Sequence, residues 1–304
     1  NKIIEKAETA ENAKNIKQWM GEAKFWRAYA YYRLLTRFGD VPLVLKTLDV
    51  DSPELYGPRS DRALVVRQIY DDLDYATENL PSFSALGAAN YGRTSKSAAL
   101  ALKARVALYE GTRQKFHRYG NPSSDLSVAV SAAEAVMAEG HALFKTTATP
   151  YFSQFQYVGE GYSNKENILS VIYGVNNAQI LRKNNITGLI QNGWYCVTRP
   201  LIEQYLCTDG LPYDKSPLAE YPETGFSSMF KNKDPRLDAS IIKEGDDYTV
   251  PSVYPAIPPQ RIGTAYAARK YFIYDDPWQQ SRSFIDISMI RYAEILLIYA
   301  EAKY

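Results

Sequence analysis

Aromatic and planar polar side chains are concentrated in one stretch near the end of the chain, residues 271–282. A neutral sugar has an apolar C–H face and several hydroxyls, so a protein binds it with an aromatic ring and with polar side chains that pair the hydroxyls. Trp278 follows a proline among polar residues, which favours an aromatic platform; the alternative is a loop tryptophan that plugs the scaffold. We therefore predict sugar contacts from Tyr274, Asp275, Asp276, Trp278, Gln279, Gln280 and Arg282.

Three further aromatic residues are candidates for the same chemistry. Tyr254 lies between Pro251 and Pro255, and the prolines predict an extended, rigid segment. Trp194 and Tyr195 stand in a polar loop. This pair could extend the aromatic platform or anchor its own loop, and we favour the anchor.

The sequence carries no motif for catalysis. It contains no Gly-x-Ser-x-Gly elbow, no phosphate-binding loop of the Gly-x-x-x-x-Gly-Lys type and no His-Glu-x-x-His pair. Glycoside hydrolysis needs two facing acids, whereas Asp275 and Asp276 are adjacent in the chain. We therefore expect no enzymatic activity.

Composition argues against several other classes of function. The 35 basic residues balance the 34 acidic ones, so there is no electrostatic reason to invoke nucleic acid or an acidic membrane surface. Two cysteines, Cys196 and Cys207, allow one disulfide or none, and with only two histidines they make no metal centre. We expect no cofactor and no metal. No apolar run reaches the roughly 18 residues of a transmembrane helix.

Residues 1–145 predict helices joined by short breaks. Ser60 or Asp61, and later Thr94 or Ser95, are the expected helix N-caps. Alanines are dense between 97 and 111, which lets neighbouring helices approach closely. Helix pairs of this length favour an αα-hairpin array, although no tight sequence repeat is present. Two aromatic stripes predict a helix packed on more than one side: Trp19, Ala23, Trp26 and Ala30, beside Phe25, Ala28, Tyr29 and Tyr32.

Residues 146–286 differ from the helical region before them, because they contain many more of the turn-forming residues Gly, Pro, Asn and Asp. The sequence predicts one buried strand at 168–173 and a short helix after Thr198, with irregular chain elsewhere. An ordered loop region this long is usually functional. Residues 287–304 predict a returning scaffold helix, buried because it is apolar nearly all round. Glu294 on this helix is expected to anchor to backbone or to an arginine, and Arg291, three residues earlier, is one candidate.

Short motifs follow one another in a fixed order from residue 21 to the end of the chain. Together this series resembles the SusD/RagB family, the surface nutrient-binding lipoproteins of Bacteroidota, over nearly the whole chain. The motifs are Gly21 to Tyr32, Phe38 to Leu43, Ile69 to Leu73 closing at Leu80-Pro81, Gly92 to Ala99, Asp209-Gly210-Leu211-Pro212, Asp234-Pro235-Arg236-Leu237 and Arg291-Tyr292-Ala293-Glu294.

The resemblance implies a mainly α fold in which tetratricopeptide-like helical pairs form an α-α superhelix that carries a large irregular ligand-binding layer. It assigns 1–145 and 287–304 to the scaffold and 146–286 to the binding layer of a single domain. Members of the family are not enzymes. Their glycan-binding aromatics commonly fall between the Asp-Pro-Arg-Leu motif and the terminal helix, where Tyr254 and Trp278 stand.

The family resemblance also implies partners and a location. An oligosaccharide ligand, delivery to a SusC-like TonB-dependent transporter and attachment to the outer membrane at the cell surface are expected. The lipidated cysteine would then lie outside this sequence. Two alternatives stay open: a RagB-type member that binds peptides, and a tetratricopeptide-type adaptor that binds proteins.

Overall fold

The computed structural model of the chain describes most of its 304 residues. Every structural statement below concerns these residues. They are 1–10, 13–174, 179, 181–182, 184–191, 194–222, 224–242, 246, 266–273 and 283–304.

Helices dominate the described chain, and the longest lie before residue 138. Short 3-10 turns occur at Pro53–Tyr56, Ala88–Asn90, Tyr157–Gly159 and Phe226–Phe230. The α-helices are α1 (Lys2–Glu8), α2 (Ala13–Phe38), α3 (Arg62–Asn79), α4 (Phe83–Leu86), α5 (Lys96–His117), α6 (Pro122–Met137), α7 (Pro150–Ser153), α8 (Ile186–Gln191), α9 (Arg199–Gln204), α10 (Pro235–Asp238) and α11 (Tyr292–Lys303).

Four short strands form two-stranded pairs within the described residues. They are β1 (Asn167–Val171), β2 (Ile241–Ile242), β3 (Ala267–Ala268) and β4 (Ile287–Arg291). Strand β1 pairs with β4. Strands β2 and β3 are antiparallel, with Ile241 opposite Ala268 and Ile242 opposite Ala267.

The chain divides into two compact units. The first, the helical unit, comprises Asn1–Leu143, Gly161–Ser170 and Ser288–Tyr304; the second, the loop-rich unit, comprises Phe144–Glu160 and Val171–Ile287. Residues 161–170 were predicted with the irregular region, yet they lie in the helical unit. A long-range contact accounts for this difference. Strand β1 pairs with β4, and nearly all residues of both strands belong to the helical unit.

Two helical hairpins build the helical unit, as the sequence predicts. Helix α2 packs on α3, and α5 packs on α6. Their starts follow the expected chemistry: the Asp61 carboxylate accepts the N–H of Ala63 at 2.7 Å, and the Ser95 hydroxyl accepts that of Ala98 at 3.2 Å. Side-chain caps satisfy N–H groups that the first helical turn leaves unpaired. The mainly α scaffold of helical pairs is therefore confirmed.

Close packing of α5 on α6 depends on small side chains. Residues 98, 99, 101, 104 and 107 of α5 are alanines with no exposed surface. Gly111 continues this side of the helix, and a Cβ there would lie 2.8 Å from Cγ of Leu126 and 3.1 Å from its backbone nitrogen. Such distances are too short for a real contact, so only glycine permits the observed approach.

The tryptophans of α2 correct one prediction. Trp19 and Trp26 are exposed, and they do not lie between helices. The buried residues of α2 are instead Phe25, Ala28 and Leu35, which join the core cluster, and Tyr29 and Tyr32 of the second stripe pack against that cluster. The Trp19 ring contacts the guanidinium of a single arginine, Arg93, whose Cζ lies 4.5 Å from the ring centroid.

The terminal segment also differs from its prediction. Ile287–Arg291 is a strand, and the helix begins only at Tyr292. Helix α11 packs against α5 and α6 on one side, which buries Ile295 and Ile298 and leaves Leu297 exposed. The apolar sequence thus makes a half-buried helix, since its outer side meets no described element.

Glu294 anchors α11 to the hairpin through an arginine, as predicted, but through a different one. Its carboxylate accepts hydrogen bonds from Nε and Nη2 of Arg105 at 2.5 and 2.6 Å. Arg291 binds Glu166 instead, at 2.6 Å. A bidentate arginine–carboxylate pair fixes orientation as well as distance, so α11 is held in a defined register on α5.

Candidate functional site

The structure describes only part of the predicted sugar contacts. Trp194 and Tyr195 lie in the loop-rich unit and are described. The other predicted residues lie outside the described residues, and their predicted roles stay predictions: Tyr254, Tyr274, Asp275, Asp276, Trp278, Gln279, Gln280 and Arg282.

Trp194 and Tyr195 present their rings to solvent. The Trp194 side chain is 78% exposed and that of Tyr195 is 50% exposed. Large exposed aromatic rings next to each other expose apolar area that a monomer usually buries. Neither ring enters the core, and the preferred interpretation, in which the pair anchors its own loop, stays a prediction beside its role as a platform.

Backbone hydrogen bonds hold this aromatic pair in place. The Trp194 N–H donates to the carbonyl of Leu189 in α8 at 2.9 Å. The Ala268 N–H donates to the carbonyl of Tyr195 at 3.0 Å. Cys196 forms a bridge with Ala267, so the segment runs beside β3 on the edge opposite β2. The loop is anchored by its main chain, and the rings are free to serve another purpose.

A small buried cluster supports that main chain from below. Its residues have almost no exposed surface, and Cys196 packs against them from the aromatic segment. Cys196 and Cys207 do not form a disulfide. The cluster consists of Ile190, Ile242, Ala267 and Phe272. Residues from α8, β2 and β3 all contribute to this cluster. Three elements therefore form the fixed base of the segment that carries the exposed rings.

Two carboxyl groups in the same unit have strongly perturbed acidity. Burial raises the pKa of Glu160 to about 8 and that of Asp286 to about 6. Perturbed acids occur at many active sites. Here each accepts a backbone hydrogen bond, since Asp286 N–H donates to Glu160 at 2.6 Å and Tyr173 N–H donates to Asp286 at 2.8 Å. The pair ties together three chain segments, which is a structural role.

The described residues offer no inorganic site. No group of three or more histidine, cysteine, aspartate or glutamate side chains among them could hold a metal ion. Across the same part of the chain, every helix is either too short or too polar to span a membrane.

Family models match both ends of the chain. A model described as "SusD family" matches residues 165–304. A second, described as "Starch-binding associating with outer membrane", matches residues 1–108. Together they cover α1 to α4, the first part of α5, and the chain from residue 165 onward, which includes the aromatic pair; α6 lies between the two matches.

Individual relatives agree with the family models. SusD-like protein P38 of Formosa agariphila is 25% identical over 233 residues, which are 76% of this chain and 41% of that protein. A SusD-like carbohydrate-binding protein of Bacteroides fragilis NCTC 9343 superposes with a TM-score of 0.74 at 25% identity, covering 99% of this chain and 58% of the other. A structure solved with a xylogluco-oligosaccharide has a TM-score of 0.65 at 21% identity, covering 99% of this chain and 57% of the other. The chain thus spans about half the length of these relatives.

Proposed function

The chain belongs to the SusD/RagB family, a family of SusD-like carbohydrate-binding proteins, and we propose that it captures an oligosaccharide at the cell surface without making or breaking a bond. Its structural neighbours support a glycan ligand, since one is described as carbohydrate-binding and another was solved with an oligosaccharide. The lack of catalytic motifs in the sequence supports binding without chemistry.

The observation that carries the proposal is the exposed aromatic pair on its fixed base. The C–H face of a sugar ring stacks on Trp194, with Tyr195 beside it offering both a ring and a hydroxyl. Ordering a side chain or loop during binding costs about 0.5–1.5 kcal/mol for each group immobilised. Main-chain hydrogen bonds to Leu189 and Ala268 already fix the backbone of this segment, so binding needs to order the two side chains but not the loop.

The proposal includes a partner and a location. In this role the oligosaccharide passes to a SusC-like TonB-dependent transporter, and the protein is a lipoprotein at the cell surface. The family description "associating with outer membrane" supports the location. Affinity purification of the tagged full-length protein from solubilised outer membranes should recover one TonB-dependent transporter. Recovery of the protein with no such transporter would contradict the partnership.

Replacing Trp194 with alanine should weaken oligosaccharide binding by about tenfold or more, because a stacked ring contributes roughly 1.4 kcal/mol or more. Calorimetry across a panel of glycans, with peptides alongside, measures the effect. Trp19→Ala is the matched control, since Trp19 is also exposed but lies on α2 of the helical unit. The control should leave affinity unchanged.

Two results would reject parts of the proposal. Binding of peptides with no binding of any glycan would favour a RagB-type peptide binder. Equal losses in Trp194→Ala and Trp19→Ala would show that the aromatic pair is not the platform.

A further inference from the structure

A second candidate site lies in the loop-rich unit, away from the aromatic pair in sequence. It is a cavity of about 530 Å³. Ligand pockets in proteins typically measure about 300–1,000 Å³, so a short oligosaccharide segment fits the size range. Helix α7 with the residues before it, helix α10 and Arg269 contribute its walls.

Most of the lining is apolar and flat. Pro150, Tyr151 and Phe152 contribute one side, and Pro235 contributes to another. The Tyr151 ring is held edge-on against Phe155, with the ring centroids 5.6 Å apart. A wall of rings and prolines suits the C–H face of a sugar, because both surfaces are apolar and stiff.

Arg269 supplies an unused hydrogen-bond donor at this cavity. Its side chain is only 16% exposed, and Nη2 is paired with the carboxylate of Asp246. Its Nε is buried and has no hydrogen-bond partner among the described residues. A buried donor without an acceptor destabilises the folded state, and more so when the group is charged. An acceptor supplied by a ligand would remove that destabilisation.

Arg236 lines the same cavity, and one of its guanidinium nitrogens also lacks a hydrogen-bond acceptor among the described residues. Its Nε and Nη2 donate to Asp234 at 2.5–3.1 Å, and across the described ranges its Nη1 makes no hydrogen bond. Asp238 lines the cavity as well, so the lining is not uniformly basic. Selection therefore depends on where a ligand places its acceptors, and both guanidinium groups favour an ionised acceptor over a hydroxyl.

We propose that this cavity is a subsite for an acidic sugar unit, whose anionic oxygens accept hydrogen bonds from Arg269 and Arg236 while its apolar face lies on the Tyr151–Phe152 wall. The assignment rests on the proposed glycan-binding function and adds the charge class of the ligand. A carboxylate of a uronic acid and a sulfate ester supply the same chemistry. Charge-assisted hydrogen bonds are about twice as strong as neutral ones, so the acid is preferred over its neutral counterpart.

The test compares tetragalacturonate with its fully methyl-esterified form, which has the same backbone without the charge. Calorimetry on the whole protein should show at least about tenfold tighter binding of the free acid. Arg269→Gln should remove that preference while leaving the affinity for the ester within about twofold. Arg236→Gln should reduce the preference severalfold. Arg199→Gln is the control, because this arginine lies on α9 and pairs with Glu203 outside the cavity.

A sulfated oligosaccharide tested beside the acid identifies the source of the anionic oxygens: tighter binding that Arg269→Gln abolishes supports the subsite with sulfate as its ligand. Equal affinity for acid and ester overturns the subsite but leaves the proposed glycan binding intact. Absence of binding to every glycan in the panel rejects the proposed function itself. Tetraglutamate binding as tightly as the acidic sugar overturns the sugar assignment. The Arg236 side chain is 64% exposed, so Arg236→Gln should fold. If Arg269→Gln does not fold, the Arg236→Gln variant still decides the test.

Discussion

Replacing Glu110 with alanine should lower the free energy of unfolding by about 3–5 kcal/mol, since it would leave a buried guanidinium without its counter-charge. Glu110 on α5 is 2% exposed, and it accepts a hydrogen bond from Nε of Arg62 on α3 at 2.9 Å. Arg62 Nη2 also donates to this carboxylate, and Nη1 donates to the carbonyl of Leu35 on α2 at 3.3 Å. The Arg62 side chain therefore connects three helices of the scaffold, α2, α3 and α5.

A matched ion pair on the same two helices provides the control. Lys103 on α5 pairs with Asp74 on α3, but the Asp74 side chain is largely exposed. Exposed pairs contribute about 0–1 kcal/mol, so Asp74→Ala should have a small effect. Urea denaturation followed by far-ultraviolet circular dichroism measures both variants. The double replacement Arg62→Met with Glu110→Leu should recover most of the stability, because apolar side chains need no counter-charge. Similar losses in Glu110→Ala and Asp74→Ala would contradict this account.

Local signals explain why the helical scaffold could be predicted from sequence. The caps at Asp61 and Ser95 act within three residues of the helix start, and the glycine after α2, Gly39, adopts the left-handed conformation with φ of 72°. Alanine density on α5 marks its contact with α6. Each of these features depends on residues that are close in the chain, so each can be predicted from the sequence alone.

Two of the errors involve partners that are distant in the chain. Residues 287–291 continue an apolar, helix-like pattern, but pairing with β1 makes them a strand, and β1 lies more than 100 residues earlier. Glu294 was expected near Arg291 and binds Arg105 instead, 189 positions away. Periodicity reports which side chains share a face; it contains nothing about which distant segment will cover that face.

The candidate site shows the same limit. Trp194 was named as a candidate in a polar loop, but the sequence did not show the main-chain bond to Leu189 or the bridge of Cys196 to Ala267 that hold its segment. The cavity residues Tyr151 and Arg269 were not singled out, because they are 118 positions apart in the sequence and neither stands in a recognisable motif. Composition indicated an aromatic, polar binding layer, and only the folded chain could show which of its residues meet.

Acidity in the loop-rich unit leads to an unusual dependence of stability on pH. Burial raises the pKa of Glu160 from its ordinary 4.5 to about 8, with the Asp286 charge acting in the same direction. Burial likewise raises the pKa of Asp286 from 3.8 to about 6. The folded state therefore keeps protons that the unfolded chain releases. The stability that these two protonated carboxyls contribute is complete below about pH 4 and is lost as pH rises towards 8. This dependence is the reverse of ordinary acid denaturation.

Glu160→Gln should remove most of this slope, because glutamine imitates the neutral acid and its carbonyl can still accept the N–H of Asp286. Relative to the unmodified protein, the variant should gain on the order of 1–2 kcal/mol between pH 5 and pH 8, after allowing for solvent screening of a half-buried group. Denaturation at each pH measures the gain. Hydrogen-exchange protection of the Tyr173 and Asp286 amides, which donate to these two carboxyls, reports it locally.

Glu220→Gln separates this effect from a general loss of negative charge. Glu220 is partly exposed, and a hydrogen bond from Lys231 lowers its pKa, so it stays ionised throughout the range from pH 5 to pH 8. Its replacement should leave the slope unchanged. A slope that persists in Glu160→Gln, or that disappears in Glu220→Gln, would show that burial of Glu160 does not set the balance. Loss of the slope in Glu160→Gln alone would mean that this unit holds its three crossing segments together best when the carboxyl is neutral.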